Sequence, residues 1–329
     1  MKVSVIIPVF NAEKFLSACL ESILIQTLQD YEVLVVDDCS TDDSVKIAEN
    51  FLEKFDGRLK IICMEKNSGS AAEPRNVGLK FSRGEYVYFM DNDDLLMPDA
   101  LETFYNAAKK FSTDVVCAEQ GFICAENNLQ NLTPVSWTPT EFVRNEIFPE
   151  SFDIGERLEK FLNKGYGVSP WIKFLRRDFL IVNKIIFPPI KISEDVLWTI
   201  QVICLAKNFL RVPNRLYIYR SVENSWSRIE RPPQDEIKFW LDPLIKGLAY
   251  LDDFMDEIIF FAQNPNYRFK LTNFFVKMQI AGMLDALKKL EPEELYEIVH
   301  DKFDGKHAAL IANLFVFMNY YREKFLEVK

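Results

Sequence analysis

The sequence predicts an α/β fold with a mainly parallel central sheet, followed by a helical region at its C-terminal end. Short apolar runs, Lys2–Phe10 (KVSVIIPVF), Glu32–Asp37 (EVLVVD), Leu59–Met64 and Tyr86–Met90 (YVYFM), read as strands, and Glu32–Asp37 has the continuous apolar character of a central strand covered on both faces. Segments with apolar residues at helical spacing alternate with them, as in a parallel sheet. From Gln234 onwards only the helical period remains.

In chain order, the first strand closes at Asn11, and a helix is expected over Glu13–Gln26 with Phe15, Cys19, Leu20, Ile23 and Leu24 on one face. After the second strand, Ser40-Thr41-Asp42 reads as the cap of a helix from Asp43 to Phe55, with Val45, Ala48, Phe51 and Leu52 inward. The third strand follows, then a helix over Glu73–Phe81, and Gly84 precedes the fourth strand. Pro98 is placed in the first turn of a helix running to Phe111, where its missing N–H costs least. A fifth strand starts at Asp114–Cys117. Residues 119–170, with prolines at 134, 139 and 149, read as irregular apart from a short helix over Gly155–Lys164. Glu194-Asp195 precedes an apolar helix, Val196–Ala206, and a strand over Leu210–Arg220. Helices near 235–262, 267–290, 293–303 and 307–326 are separated by Asn264-Pro265, Glu291-Pro292 and Asp304-Gly305. The apolar stretch of the last one is read as a packed or homodimer-forming helix rather than a membrane-surface one.

The 329 residues suffice for one large or two ordinary domains, and 49 % hydrophobic residues exclude wholesale disorder. A formal charge of −10 argues against a general nucleic-acid binder. Between Lys164 and Arg231, however, twelve Lys/Arg face five Asp/Glu, so this segment is +7 and the remainder −17. That excess points to an anionic ligand or an anionic membrane surface, against the alternative of scattered solvated charges. Six cysteines without a C-x-x-C read as reduced core residues of a cytoplasmic protein. The N-terminal apolar run is too short for a signal peptide, and no run of eighteen apolar residues occurs, so a soluble or membrane-peripheral chain is expected.

Chemistry concentrates where strands end. Asn11, Asp37, Asp38, Asn67 and the run Asp91-Asn92-Asp93-Asp94 all fall at carboxyl ends, where parallel α/β sheets bind ligands. Adjacent carboxylates repel unless a positive charge sits among them, and a divalent cation is the usual partner. The competing reading is an acidic turn in which Asp94 or Asp99 caps the next helix. Since Gly57 is the first glycine, no G-x-G-x-x-G follows the first strand, and no P-loop occurs. Dinucleotide dehydrogenases and P-loop phosphotransferases are thereby excluded. Glu194-Asp195, taken alone, also fits an acidic pair complementing a helix dipole.

Five segments then form an ordered set: VSVIIPVFNAEKFL, VVDDCSTDDS, PRNVGL, YVYFMDNDD and ISEDVLW. In that order and spacing they resemble the inverting glycosyltransferases of family 2. PWIKFLRRDFL, YIYR and NSWS resemble bacterial members that build lipopolysaccharide and capsule. The resemblance covers about residues 1–230. It implies a GT-A fold with a nucleotide-sugar half (1–118), an acceptor half (119–230) and a helical appendage (231–329). It further implies transfer of a hexose or N-acetylhexosamine from a UDP-sugar to a glycan or lipid-linked acceptor. Pro8, Val9, Phe10 and Asn11 would line the nucleoside pocket, Asp38 would accept the uracil N–H with Asp37 beside it, and Arg75 would face the uridine or diphosphate. Asp91-Asn92-Asp93 matches the family D-x-D, with Asp91 towards the ribose and Asp93 on Mg²⁺ or Mn²⁺. Asp195 matches the catalytic base and Glu194 its support, while Arg220 either holds the diphosphate or pairs with Glu223. The chain departs from many metal-dependent relatives in one respect: its histidines, His300 and His307, lie in the C-terminal region, which leaves a third metal contact unassigned.

Two other readings compete. A phospho-accepting receiver domain also ends a strand in paired aspartates, but it needs a later strand-end lysine, where this chain carries a further acidic cluster. A chain that binds nucleotide sugar without transferring it is opposed by the D-x-D and the E-D pair.

Overall fold

The computed structural model describes residues 1–126, 128–222, 229–302 and 308–327. Glu223, the NSWS segment (224–227) and His307 lie outside them. The chain divides into two compact units, Met1–Pro189 with Asp195–Glu223, and Ile190–Glu194 with Asn224–Lys329.

The first unit is built on one sheet. Strands β1 (Val3–Val9), β2 (Tyr31–Asp37), β3 (Leu59–Cys63) and β4 (Tyr86–Phe89) are parallel, in the order β3-β2-β1-β4. Every residue of β1, β2 and β4 is buried, which explains their unbroken apolar character. Helices α1 (Leu16–Leu24), α2 (Ser44–Glu49) and α3 (Ala72–Phe81) connect them. Two of these are shorter than their apolar periodicity predicts, and α2 is not capped by Ser40-Thr41-Asp42 in the expected way. Its N-cap residue is Asp43, without a side-chain bond. Asp42 instead accepts from Ser44 N at 3.0 Å and from Glu13 N at 3.0 Å, tying α2 to the loop after β1.

Gly78 shows why α3 carries a glycine in mid-helix. A Cβ there would lie 2.3 Å from Ile6 Cγ2 of β1, so only a hydrogen lets helix and strand approach. Gly78→Ala is expected to destabilise the fold by about 1–3 kcal/mol through overpacking, measured by urea unfolding.

The sheet then departs from a simple parallel plan. β5 (Leu95–Leu96), α4 (Ala100–Phe111), β6 (Val115–Ala125), β7 (Asn128–Ser136), β8 (Phe148–Pro149), α5 (Ile154–Leu162), β9 (Lys173–Arg176), α6 (Arg177–Val182), α7 (Glu194–Leu205) and β10 (Phe209–Ser221) follow. β9 lies between β4 and β6 and is antiparallel to both. Pro98 precedes α4 instead of opening it. The stretch expected to be irregular contains the β6–β7 hairpin, and Pro134 sits on β7, which among the described residues pairs with β6 alone. A proline without a donor N–H is tolerated on such an edge strand. β10 runs parallel to β6 with register shifts on either side of Arg215, then pairs antiparallel with β5 through Tyr217↔Leu96 and Ile218↔Leu95.

The second unit holds α8 (Pro233–Asp256), α9 (Ile259–Gln263), α10 (Pro265–Leu287), α11 (Pro292–Val299) and α12 (Ala308–Glu327). The helix expected over 235–262 is thus two. In α8, Ile237, Leu241, Leu244, Leu248, Leu251 and Met255 form the buried stripe, at alternating three- and four-residue spacing. On α12, Val316, Phe317 and Tyr320 are exposed. Among the described residues, no helix is long and apolar enough to cross a membrane.

Candidate active site

The carboxyl ends of β1, β2 and β4 adjoin because the strands pair in register, Val9 with Asp37 and Ile6 with Phe89. Pro8 and Val9 belong to β1, and Val9 O accepts from Asp38 N at 2.8 Å. Past the strand, Phe10 is 48 % exposed at the mouth of the sheet. Asn11 takes a left-handed backbone, φ 49°, a conformation asparagine tolerates better than most residues. Its side-chain oxygen accepts from Thr41 N at 2.8 Å, joining the loops after β1 and β2.

Asp37 and Asp38 are both buried but do different things. Asp37 accepts from Ser40 N at 3.2 Å and folds its own turn. Asp38 reaches across to the loop before α3, accepting from Ser68 N at 2.8 Å and Ser68 Oγ at 2.8 Å, while its carbonyl accepts from Asn67 Nδ2 at 2.8 Å. Ser68 was not among the expected site residues. Nothing in the local sequence marks it, because its partner lies thirty positions earlier.

The four residues of the acidic run after β4 sit in different surroundings. Arg75 of α3 donates to Asp91 Oδ1 at 2.7 Å, and its guanidinium lies 5.2 Å over the Phe187 ring. Asn76 holds that ring in place, exchanging bonds of 2.9 Å with both Phe187 O and Phe187 N. Asn92 donates to Pro8 O at 2.8 Å, which anchors the run to β1. Asp93 is half-exposed. Asp94 is fully buried and caps no helix. It accepts from Tyr217 OH at 2.6 Å and from Arg220 N at 2.7 Å, so it fastens the run to β10. Burial, then the neighbouring charges of Asp93 and Asp91, push its carboxyl well above the ordinary range.

Arg220 is buried, with its guanidinium 5.2 Å over the Phe15 ring. Its Nε and Nη2 make no hydrogen bond among the described residues. The Cys19 thiol reports where these charges converge. Burial raises it, Asp94, Asp93 and Asp91 raise it further, and Arg220 pulls it back.

Asp195 is the second residue of α7, and its Oδ1 accepts from Val196 N at 2.8 Å. Burial raises its pKa. The charges of Arg75 and Lys173 oppose that rise, and Asp91 adds to it. Arg75 is therefore common ground, ion-paired to the first aspartate of the acidic run and acting on a carboxylate a hundred residues further on. Glu194 opens α7 half-buried, and Ser193 just before it has φ 67°, an uncommon backbone for a residue with a side chain.

The profile of glycosyl transferase family 2 matches residues 4–179, more than half of the chain. The chain belongs to glycosyl transferase family 2. Among curated members, it is 33 % identical over 211 residues to the poly(ribitol-phosphate) beta-N-acetylglucosaminyltransferase TarP of Staphylococcus aureus, covering 63 % of this chain and 59 % of TarP. It is 31 % identical over 212 residues to a poly(ribitol-phosphate) beta-glucosyltransferase of Bacillus spizizenii, covering 63 % of this chain and 30 % of that protein. This family 2 chain thus spans less than two thirds of either relative. The crystal structure of S. aureus TarS 1-349 in complex with UDP-GlcNAc superposes with a TM-score of 0.60 at 25 % identity, covering 98 % of this chain and 88 % of that one. The α/β sheet with antiparallel β9 and the C-terminal helices is accordingly a GT-A-like fold.

Of the basic residues in 164–231, Lys164, Lys184, Lys191, Lys207 and Arg215 are exposed. Lys173, Arg211 and Arg220 are buried, Arg176 is ion-paired with Asp114, and Arg177 lies 3.7 Å from Asp178.

Proposed function

We propose that this chain is an inverting glycosyltransferase acting in the cytoplasm. It moves a hexose or N-acetylhexosamine from a UDP-sugar to a hydroxyl of a bacterial surface glycan, a lipid-linked precursor or a polyol-phosphate polymer. The observation that carries this is Arg75, which holds Asp91 of the D-x-D at 2.7 Å and also acts on Asp195. An arginine shared by the two carboxylates supports reading them as parts of one site, one for the donor and one for the proton. In this reading, residues 1–118 form the donor half and 119–230 the acceptor half.

Phe10 offers an exposed apolar ring to the base, with Pro8, Val9 and Asn11 shaping the loop around it. Asp38 would accept the uracil N–H and is held for it by Ser68, while Asp37 keeps the turn beneath. Asp91 would turn towards the ribose, and Arg75 and Arg220 towards the diphosphate. Arg220, stacked on Phe15 and buried with unbonded Nε and Nη2, suits a phosphate oxygen. Arg220→Met is expected to weaken UDP binding by about 10- to 100-fold, the worth of a charge-assisted hydrogen bond, measured by titration calorimetry.

Among the described residues, no three His, Cys, Asp or Glu side chains gather into a metal cage made by protein alone. The donor set still fits Mg²⁺ or Mn²⁺. Asp93 and Asp91 are hard oxygen donors, and such ions commonly take one or two carboxylates and complete their shell with substrate phosphates and water. A metal held there would supply positive charge to the departing diphosphate.

The acceptor oxygen attacks the anomeric carbon from the face opposite UDP, the carbon–oxygen bond to UDP breaks, and UDP leaves with the electron pair. Asp195 takes the acceptor's proton, and Glu194 supports it. A single displacement inverts the anomeric configuration. A panel of UDP-sugars, assayed for UDP release with and without Mn²⁺, tests the proposal. Release from one sugar in the presence of acceptor supports it. Tight UDP binding with no turnover on any acceptor would make the chain a binding module instead.

A further inference from the structure

We propose that Lys173 is a positioning residue for Asp195, pinning the loop 167–169 against the face of α7 that presents the carboxylate; this rests on Asp195 being the base. Lys173 lies in β9, between β4 and β6, and is 0 % exposed. Its ammonium donates to Gly167 O at 2.7 Å and to Ser169 O at 3.0 Å. The carbonyl between them, Val168 O, accepts from Thr199 Oγ1 of α7 at 2.8 Å. Three successive carbonyls are therefore held alternately by the strand and by the helix. The loop also packs closely: a Cβ on Gly167 would lie 2.5 Å from Ile172 Cδ1.

Asp195, Trp198 and Thr199 stand at i, i+3 and i+4, so they share one face of α7. The ammonium of Lys173 lies 5.7 Å from the Trp198 ring, which makes this the face that the lysine and its loop cover. A buried ammonium whose hydrogen bonds go to carbonyls is expensive in desolvation, and nearby apolar residues would fill a sheet interior at lower cost. The groups facing Asp195 are Arg75, Lys173 and Asp91, and those facing Lys173 are Cys117, Asp195, Glu119 and Arg211. Burial lowers Lys173 to about 8, and Cys117 and Asp195 work against that shift. Lys173 therefore offers Asp195 a positive charge as well as a fixed frame.

The test has two readouts on the full chain. In Lys173→Met, UDP release is expected to fall by about 10- to 100-fold, the loss that follows a displacement of an ångström or so in a reacting group. The second readout needs no turnover: the Asp195 signal in ¹³C-aspartate NMR, assigned with Asp195→Asn, titrates at higher pH in Lys173→Met. Lys173→Arg, which keeps the charge, returns that midpoint towards wild type. Thr199→Val loosens Val168 alone, lowering the rate without moving the midpoint. An unchanged Asp195 midpoint in Lys173→Met overturns the proposal, and so does a wild-type rate in Thr199→Val, which decides the matter if Lys173→Met does not fold. Failure of the base assignment looks different: Asp195→Asn then retains activity, whatever Lys173 does.

Discussion

Asp195→Asn is expected to lower UDP release by at least about 100-fold, the usual worth of a positioned general base, with UDP affinity unchanged. The amide keeps the shape of the carboxylate and loses only its ability to take a proton. Because burial raises Asp195, with the charges of Arg75 and Lys173 only partly opposing, the acid limb of the wild-type rate profile should lie above the ordinary carboxylate range. Below that pH the carboxyl is protonated and cannot accept, so the rate falls as pH drops through it. Single-turnover rates across pH measure this directly. Full transfer by Asp195→Asn would leave the proton without an acceptor here and return Glu194-Asp195 to a helix-terminal charge pair.

The largest expected stability effect lies away from the site. Arg211 of β10 is ion-paired to both Glu119 and Glu150, donates to Gly165 O, and lies 4.6 Å over the Tyr166 ring. Lys160 closes the cluster at 2.6 Å from Glu150. Arg211→Met removes the cation that both Glu119 and Glu150 bond and leaves their oxygens buried without it, and is expected to cost about 3–5 kcal/mol in urea unfolding, as breaking a buried ion pair does. Glu119 adds a pH dependence. Burial raises it from 4.5 to about 7; Arg211 opposes that rise and Glu150 assists it. The folded protein therefore keeps a proton that the unfolded chain releases near 4.5. The stability this group contributes is complete below the unfolded value and is lost as pH rises towards about 7. Glu119→Gln should flatten that slope. Parallel stability curves for wild type and Glu119→Gln across this range would rule it out.

The acidic run shows what the sequence could and could not say. Its place at a strand end followed from the apolar residues before it and the abrupt change to carboxylates. The division of its members did not. Asp94 looked like a turn or cap residue, yet it bonds Arg220 N, 126 positions away, because β5 pairs with β10. The β6–β7 hairpin was obscured by prolines that an edge strand accommodates. β9 escaped notice because four residues are too few to show a period. The basic count of residues 164–231 left open which of these side chains meet water, because composition does not distinguish the exposed Lys184 from Lys173 inside the sheet.

By itself, the sequence determined the alternating α/β order, the strand-end carboxylates and the family, since each is written in short runs whose period or motif is local. Tertiary structure alone decided that Asp94 is the buried anchor while Asp91 and Asp93 stay partly exposed. It also paired Arg75 with Asp91, brought both within electrostatic reach of Asp195, and made Lys173 and Thr199 hold one loop between them. The physical reason is the same in each case. Side-chain periodicity records how a segment meets the core, whereas a hydrogen bond or ion pair between distant segments depends on strand order and burial, which no short window of sequence contains.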